Sequence, residues 1–290
     1  MPTKVEKDTV TGTDTTGHEW DGIKELNTPL PRWWINVFYA TVIWAIGYYV
    51  VYPAIPGLNS HTDGLWDWTA RKQLATQMEA VQADRAQWMD KLASTPLDQI
   101  PQDAALMEFA VAGGRAAFAD NCAPCHGSGG AGGPGYPNLL DDDWLWGGTL
   151  DNIHTTVAHG VRWSADADTR VTEMPRFGVD GILDKNQIND AAEFVLSLSG
   201  GGSDKDAAAR GQQVFAENCA ACHGESGQGT RELGAPRLAD AIWLYGGDKA
   251  SVVQSITGAR AGVMPAWAGR LDEATIRQLA IYVHSQGGGE

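Results

Sequence analysis

The sequence predicts a mainly α-helical chain, with one N-terminal transmembrane helix followed by two similar small domains. Three observations lead to this prediction: an uncharged segment at residues 33–52, a C-x-x-C-H pentapeptide that occurs twice, and flanking residues that recur in the same order around each pentapeptide. Such recurrence is typical of an internal repeat. The expected divisions are a polar tail at 1–32, a membrane anchor at 33–56, a helical connector at 57–112, and two domains at 113–201 and 202–290.

Residues 1–32 are polar and show no apolar period, which predicts a flexible tail. The uncharged segment that follows would span about 30 Å as a helix, the thickness of a bilayer core. Trp33 and Trp34 mark one end and several tyrosines the other, as is typical at membrane interfaces. A cleavable signal peptide would begin with a short basic stretch and end at a small-residue cleavage site, and this segment has neither. The sequence therefore predicts an uncleaved anchor.

The charges beside the anchor predict its orientation. Arg32 adjoins the N-terminal end of the segment, whereas the first basic residue beyond the segment is Arg71. Because positively charged flanks stay on the cytoplasmic side, we expect the N-terminus inside the cell and the rest of the chain outside. In the connector, we expect one helix over residues 66–92 and a second, short helix over residues 103–111.

The repeated pentapeptide occupies residues 122–126 and 219–223 and has the attachment pattern of c-type haem. Its two thiols add to the vinyl groups of one haem, and the adjacent histidine reaches the iron. A four-cysteine zinc site would need the two pairs to converge, yet they lie 97 residues apart and each has its own histidine. A thioredoxin-like redox pair explains neither the duplication nor the histidines. The sequence thus predicts two covalently bound haem c groups and leaves none of its four cysteines unassigned.

Both copies have the same order: a short helix, C-x-x-C-H, a glycine-rich loop, a helix, Met-Pro and a closing helix. This order resembles class I cytochrome c, in which the first and last helices cross. The first copy carries about nine extra residues at 163–172. The candidate iron ligands are His126 and Met174 in the first copy, and His223 and Met264 in the second. Arg162 and Arg260 are possible partners of the haem propionates.

Two filled axial positions indicate electron transfer rather than catalysis, because they leave no open site for oxygen or peroxide. A thioether ligand also stabilises ferrous iron. His154 and His159 are rivals to the first methionine. The formal net charge of -15 disfavours nucleic acid as a partner. It suits either a basic protein partner or simple solubility.

Residues 18–27, with the prolines and tryptophans at 29–34, resemble the opening of the FixP/CcoP family, the dihaem subunits of cbb3-type cytochrome c oxidase. The resemblance implies an inner-membrane relay from a cytochrome c donor to the monohaem and catalytic subunits, which is not an enzyme as an isolated chain. A dihaem subunit of a dehydrogenase or denitrification complex is the alternative. Carried over motif by motif, the resemblance gives two haem sites, with an exchange of methionines between domains left open. The first comprises Cys122, Cys125, His126 and Met174; the second comprises Cys219, Cys222, His223 and Met264.

Overall fold

The structure is a computed structural model that describes residues 4–202 and 204–288. The chain divides into two compact units, the first extending to Ala83 and the second beginning at Asp84. The mainly α class is confirmed, and each unit is described in turn.

The first unit opens with a β-hairpin rather than the flexible tail that the sequence predicted. Strands β1 (Thr15–Trp20) and β2 (Ile23–Leu26) pair antiparallel. The two residues between them, Asp21 and Gly22, have φ of 49° and 83°. Two successive left-handed residues form the tight turn that matches strand twist, and Asp-Gly is a preferred pair there. The prediction missed this hairpin because it relied on apolar periodicity, which the polar strands lack.

Helix α1 (Arg32–Val51) follows directly after Pro31, close to the expected bounds. None of its residues is buried, and it is long and apolar enough to cross a membrane. No other helix within residues 4–202 and 204–288 meets that description. The chain leaves the helix at Tyr52, whose ring lies 5.2 Å from that of Trp66 and 5.5 Å from that of Trp68. These aromatic rings cluster at one end of the anchor, as expected at an interface.

Helix α2 (Ala70–Ser94) begins in the first unit and ends in the second. It starts four residues later than predicted and ends near the expected Ser-Thr-Pro stretch. A short 3-10 helix (Leu97–Gln102) leads into α3 (Ala104–Asn121), which is capped by Asp103. The structure corrects the predicted boundary at residue 112, because α3 runs through it without a break up to the first pentapeptide. The predicted short helix is therefore the first part of the opening helix of the first repeat.

Together with α3, the remaining α-helices form two sets in the same order, as the repeat predicted. After α3, the first set continues with α4 (Ala123–His126), α5 (Leu150–His159) and α6 (Lys185–Leu198). The second set opens with α7 (Lys205–Asn218) and continues with α8 (Ala220–His223), a 3-10 turn (Arg231–Leu233), α9 (Lys249–Gly258) and α10 (Glu273–His284).

The closing helices are exchanged between the repeats. Helix α10 packs on α3 and α5, whereas α6 packs on α7 and α9. Each crossing is close enough to require glycine: a Cβ on Gly114 of α3 would overlap the carbonyl oxygen of Gln278, and one on Gly211 of α7 would overlap that of Asp190. The predicted ranges 113–201 and 202–290 therefore describe the repeats along the sequence, but each packed core draws on both ranges.

Backbone hydrogen bonds hold this exchange in place. After the second methionine, the amide of Trp267 donates to the carbonyl oxygen of Val157 at the end of α5 (3.2 Å). After the first methionine, the amides of Gly178 and Val179 donate to the carbonyl oxygen of Thr257 at the end of α9 (3.2 and 3.1 Å). The segment from methionine to closing helix is thus transferred as one piece in each direction.

Candidate haem sites

Each pentapeptide forms one tight helical turn at the end of a longer helix. Cys122 is the C-cap of α3, and the amides of Cys125 and His126 donate to its carbonyl oxygen (3.1 and 2.9 Å). The second copy repeats this geometry, with the amides of Cys222 and His223 bonded to the carbonyl oxygen of Cys219 (3.1 and 3.0 Å). The turn brings both thiols and the imidazole of each copy into one small region.

The two histidines are held in the tautomer that can bind a metal. Nδ1 of His126 lies 3.0 Å from the carbonyl oxygen of Pro137, and Nδ1 of His223 lies 2.9 Å from that of Pro236. A carbonyl oxygen only accepts, so each Nδ1 donates its proton and leaves the lone pair on Nε2. Burial lowers the pKa of both imidazoles, although these hydrogen bonds oppose the shift. Both rings are therefore neutral at pH 7, as a metal ligand requires.

None of the four cysteines forms a disulfide in the structure. Burial, with a smaller contribution from the neighbouring cysteine, raises the pKa of Cys122 and of Cys219 to about 11. Before haem attachment, each of these two thiols is therefore protonated at neutral pH. Cys122 packs against the core that contains Phe118, and Cys219 packs against a different core that contains Phe215. The two pairs do not share a core, which argues against a joint zinc site.

The second pentapeptide faces a cavity of about 430 Å³. Cys219, Cys222 and His223 line one part of it, and Met174 lines it as well. Much of the remaining wall is apolar, including Phe215 and the side chains of Val195, Leu238, Trp243 and Val252. Two thiols, a neutral imidazole and a thioether around an apolar cavity are the donor set and surroundings that a covalently bound haem requires. The residues present therefore fit the group that the pentapeptide implies.

Met264 packs on the same core as the first pentapeptide. It packs against the core that contains Phe118, together with Cys122, Trp144 and Trp267. Met174 packs against the other core, together with Cys219. The structure thus brings each methionine to the pentapeptide of the other repeat, which is the exchange that the sequence left open and the reverse of the pairing carried over by resemblance. The reason is the transfer of the whole segment from methionine to closing helix.

Subunits of cbb3-type cytochrome c oxidases are similar to this chain over nearly its whole length. A subunit CcoP of cbb3-type cytochrome c oxidase from Cereibacter sphaeroides is 53% identical over 276 residues, covering 95% of each chain. A FixP subunit from Bradyrhizobium diazoefficiens is 53% identical over 286 residues, covering 98% of each chain. Another from Azorhizobium caulinodans is 54% identical over 280 residues, covering 96% of this chain and 94% of the other. This chain belongs to the FixP/CcoP family.

Family models divide the FixP/CcoP chain in the way that its repeats suggest. Residues 12–59 match the N-terminal domain of cytochrome oxidase-cbb3, FixP. Residues 111–199 match cytochrome c, and residues 206–283 match cytochrome c oxidase, cbb3-type, subunit III. The first match covers both the β-hairpin and α1, so the segment that suggested the family from sequence is structured. The two cytochrome c domains are thereby confirmed, although their closing helices are exchanged.

The rival histidines both face carboxylates in this FixP/CcoP chain. Nε2 of His154 lies 2.9 Å from Oε1 of Glu273 at the start of α10, and Nδ1 of His159 lies 3.2 Å from Oδ1 of Asp166. Neither histidine is among the residues that line the cavity of the second pentapeptide. Their contacts are those of residues that join α5 to α10 and to the inserted loop.

Arg162 and Arg260 both line the cavity of the second pentapeptide, although the sequence places one in each repeat. The guanidinium of Arg260 lies 4.8 Å from the ring centre of Tyr245 and donates from Nη2 to the carbonyl oxygen of Ser251 (2.7 Å). Arg162 donates to the carbonyl oxygens of Gly262 and Thr172. Both guanidinium groups thus use part of their hydrogen-bonding capacity within the protein.

Sequence reasoning missed three residues that shape the sites. Pro137 and Pro236 supply the carbonyl oxygens that orient the histidines. Both prolines occupy equivalent positions in the two repeats, and this recurrence could have indicated that they have the same role at each site. Asp143 lines the same cavity as His223, and burial together with nearby Asp240 raises its pKa to about 6. No pattern in the sequence marked this aspartate, because its environment comes from a loop of the other repeat.

Proposed function

We propose that this chain is the electron-relay subunit of a cbb3-type cytochrome c oxidase. It carries two haem c groups, accepts electrons from a cytochrome c donor, and passes them to the monohaem and catalytic subunits that reduce oxygen. The observation that supports this most directly is the donor set: the first cysteine of each pentapeptide shares a core with a methionine. With both axial positions filled, neither haem iron would offer an open position for oxygen.

The exchanged packing supports a definite assignment of ligands. Cys122, Cys125, His126 and Met264 would hold the first haem. Cys219, Cys222, His223 and Met174 would hold the second. Bound haem supplies an iron that gains and loses one electron.

The chain's own residues set the conditions for that exchange. The hydrogen bonds of His126 and His223 to proline carbonyls fix ring orientation and increase the electron donation of the imidazole. The thioether sulfur and the apolar walls favour the ferrous state, which raises the potential. Arg162 and Arg260 remain candidates to face the propionates of the second haem, because both line its cavity.

In this proposal, α1 anchors the relay in a membrane. Helix α1 crosses the inner membrane once, with the N-terminal hairpin in the cytoplasm and both haem domains in the periplasm. The supporting observations are the length and apolar surface of α1 and the position of Arg32 at its start. Attachment of haem c in bacteria takes place on the outer side of that membrane, which agrees with this orientation.

The donor is expected to be basic, because the chain has a formal net charge of -15. Opposite charges accelerate encounter at low ionic strength and lose this effect as salt rises. We expect the rate of reduction by a basic cytochrome c to fall steeply with added salt. A flat salt profile would contradict electrostatic docking without affecting the relay itself.

The relay is tested by purifying the complex through this chain in mild detergent. Haem b, copper and oxygen uptake with an artificial reductant are expected in the eluate. Two c-type haems without oxygen uptake would instead indicate a free-standing membrane cytochrome that serves a dehydrogenase or a denitrification enzyme.

In the same preparation, Met264→His should lower the potential of the haem that is lost when Cys122 and Cys125 are replaced by serine. A shift of the other haem would refute the ligand exchange.

A further inference from the structure

The two exchanged segments meet at Val161 and Arg162, which follow the glycine that caps α5. The amide of Val161 donates to the carbonyl oxygen of Met264, and the amide of Met264 donates back to Val161 (3.0 Å each). Arg162 follows with φ of 54°, a left-handed conformation that is uncommon for a residue with a side chain. This backbone turns the Arg162 side chain into the cavity at which Met174 lies. Two consecutive residues, Val161 and Arg162, therefore lie next to both methionine segments.

The guanidinium of Arg162 bonds to both of those segments. Its Nε donates to the carbonyl oxygen of Gly262 (2.6 Å), and its Nη1 donates to the carbonyl oxygen of Thr172 (3.4 Å). Gly262 precedes Met264 by two residues, and Thr172 precedes Met174 by two residues. One side chain thus connects equivalent points on the two segments.

The chemistry of arginine suits this arrangement. The guanidinium is a planar fork whose N–H groups point in fixed directions, so it can serve two carbonyl oxygens at once. Burial lowers the pKa of Arg162, opposed by the nearby Tyr245 and Glu173, but an arginine keeps its charge. Hydrogen bonds from a charged donor are stronger than those between neutral groups. A lysine at this position would present a single ammonium and could not reproduce the fork.

We propose that Arg162 is the positioning residue for both axial methionines. By bonding to the carbonyl oxygens of both Gly262 and Thr172, it sets the approach of Met264 to the first haem and of Met174 to the second. The strength of both sulfur–iron bonds, and therefore both potentials, depends on this one side chain. The inference rests on the ligand assignment proposed above.

The test compares Arg162→Gln and Arg162→Lys with Arg176→Gln in the full-length, haem-loaded chain. Arg176 is a matched control because it lies two residues after Met174 but is exposed and paired with Asp180 at 2.6 Å. The readouts are the methionine–iron charge-transfer band of the oxidised protein, the two redox steps, and thermal unfolding. The band reports sulfur ligation directly, which a purely structural role would leave unchanged.

We expect Arg162→Gln to increase the methionine-dissociated fraction about tenfold at both haems, in line with the loss of charged hydrogen bonds. Both redox steps should move to lower potential. Arg162→Lys should recover only part of the band, and Arg176→Gln should match the wild type. If Arg162→Gln does not fold, the lysine variant decides, because it retains the charge.

Three outcomes would overturn the inference. The first is a loss confined to one redox step, and the second is unchanged bands in both Arg162 variants. The third is lower thermal stability with normal sulfur ligation, which would leave Arg162 a structural residue. Absence of a methionine–iron band in the wild type would instead refute the ligand assignment itself, so the two failures are distinguishable.

Discussion

Leu279 on α10 offers a direct measure of the exchanged packing. Its side chain is fully buried in the core that contains Phe118 and Ile153, next to the first pentapeptide. Leu→Ala at such a site costs about 3 kcal/mol through lost burial and the cavity left behind. For a folding unit of roughly 200 residues, this corresponds to a fall of about 6 to 12 °C in Tm.

The more informative consequence of Leu279→Ala is which haem responds. Because α10 packs on α3, the substitution should weaken ligation of the haem attached to Cys122 and Cys125 and leave the other redox step in place. Leu196→Ala, a similarly buried leucine on α6, should do the reverse. Thermal unfolding and a redox titration of both variants measure the effect, with the first haem identified by its absence when those two cysteines are replaced by serine. If each variant disturbed the haem of its own repeat, the exchange would be refuted.

Three further perturbations follow from the packing. Gly211→Ala should cost about 3 kcal/mol or more and reduce incorporation of the second haem, because its Cβ would overlap the backbone of α6; haem content and Tm measure this. The folded protein binds the Asp143 proton more tightly than the unfolded chain, so it should lose stability as pH rises from about 4 to about 6. Asp143→Asn should remove that loss, whereas the exposed Asp142→Asn should retain it, as measured by thermal melts across this pH range. Lys249→Gln should destabilise the chain by about 1 to 3 kcal/mol, because Lys249 pairs at 2.7 Å with Glu193, which is only 1% exposed; denaturant unfolding of Lys249→Arg provides the control.

Much of the site could be predicted from sequence because its chemistry is local. The spacing of Cys122, Cys125 and His126 is imposed by a single haem, and one helical turn delivers it. The uncharged segment and the order of helices were equally visible. These features depend on residues close together in the chain, so composition and spacing were sufficient.

The partner of each closing helix could not be predicted in this way. Helices α6 and α10 both follow a Met-Pro and both begin after an aspartate cap, at Asp184 and Asp272. The opening helices present a glycine at the same place in each copy, Gly114 and Gly211. Either closing helix could pack on either opening helix by these patterns. The choice depends on the connection around Val161, whose pairing with Met264 is a long-range contact that local sequence does not encode.

The exchange also orders events during synthesis. A chain made from its N-terminus exposes Met174 and α6 before the second pentapeptide emerges. The second haem site can therefore form by closing only a short stretch of chain. After the first pentapeptide is made, synthesis must continue for about 140 residues before Met264 is added, and further before α10 is complete. Closing so long a loop is slower and leaves an apolar surface open meanwhile. We therefore expect the second haem site to form first. A chain that ends just before Met264 should assemble the haem site of the second pentapeptide, whereas the site of the first pentapeptide would lack its sixth iron ligand.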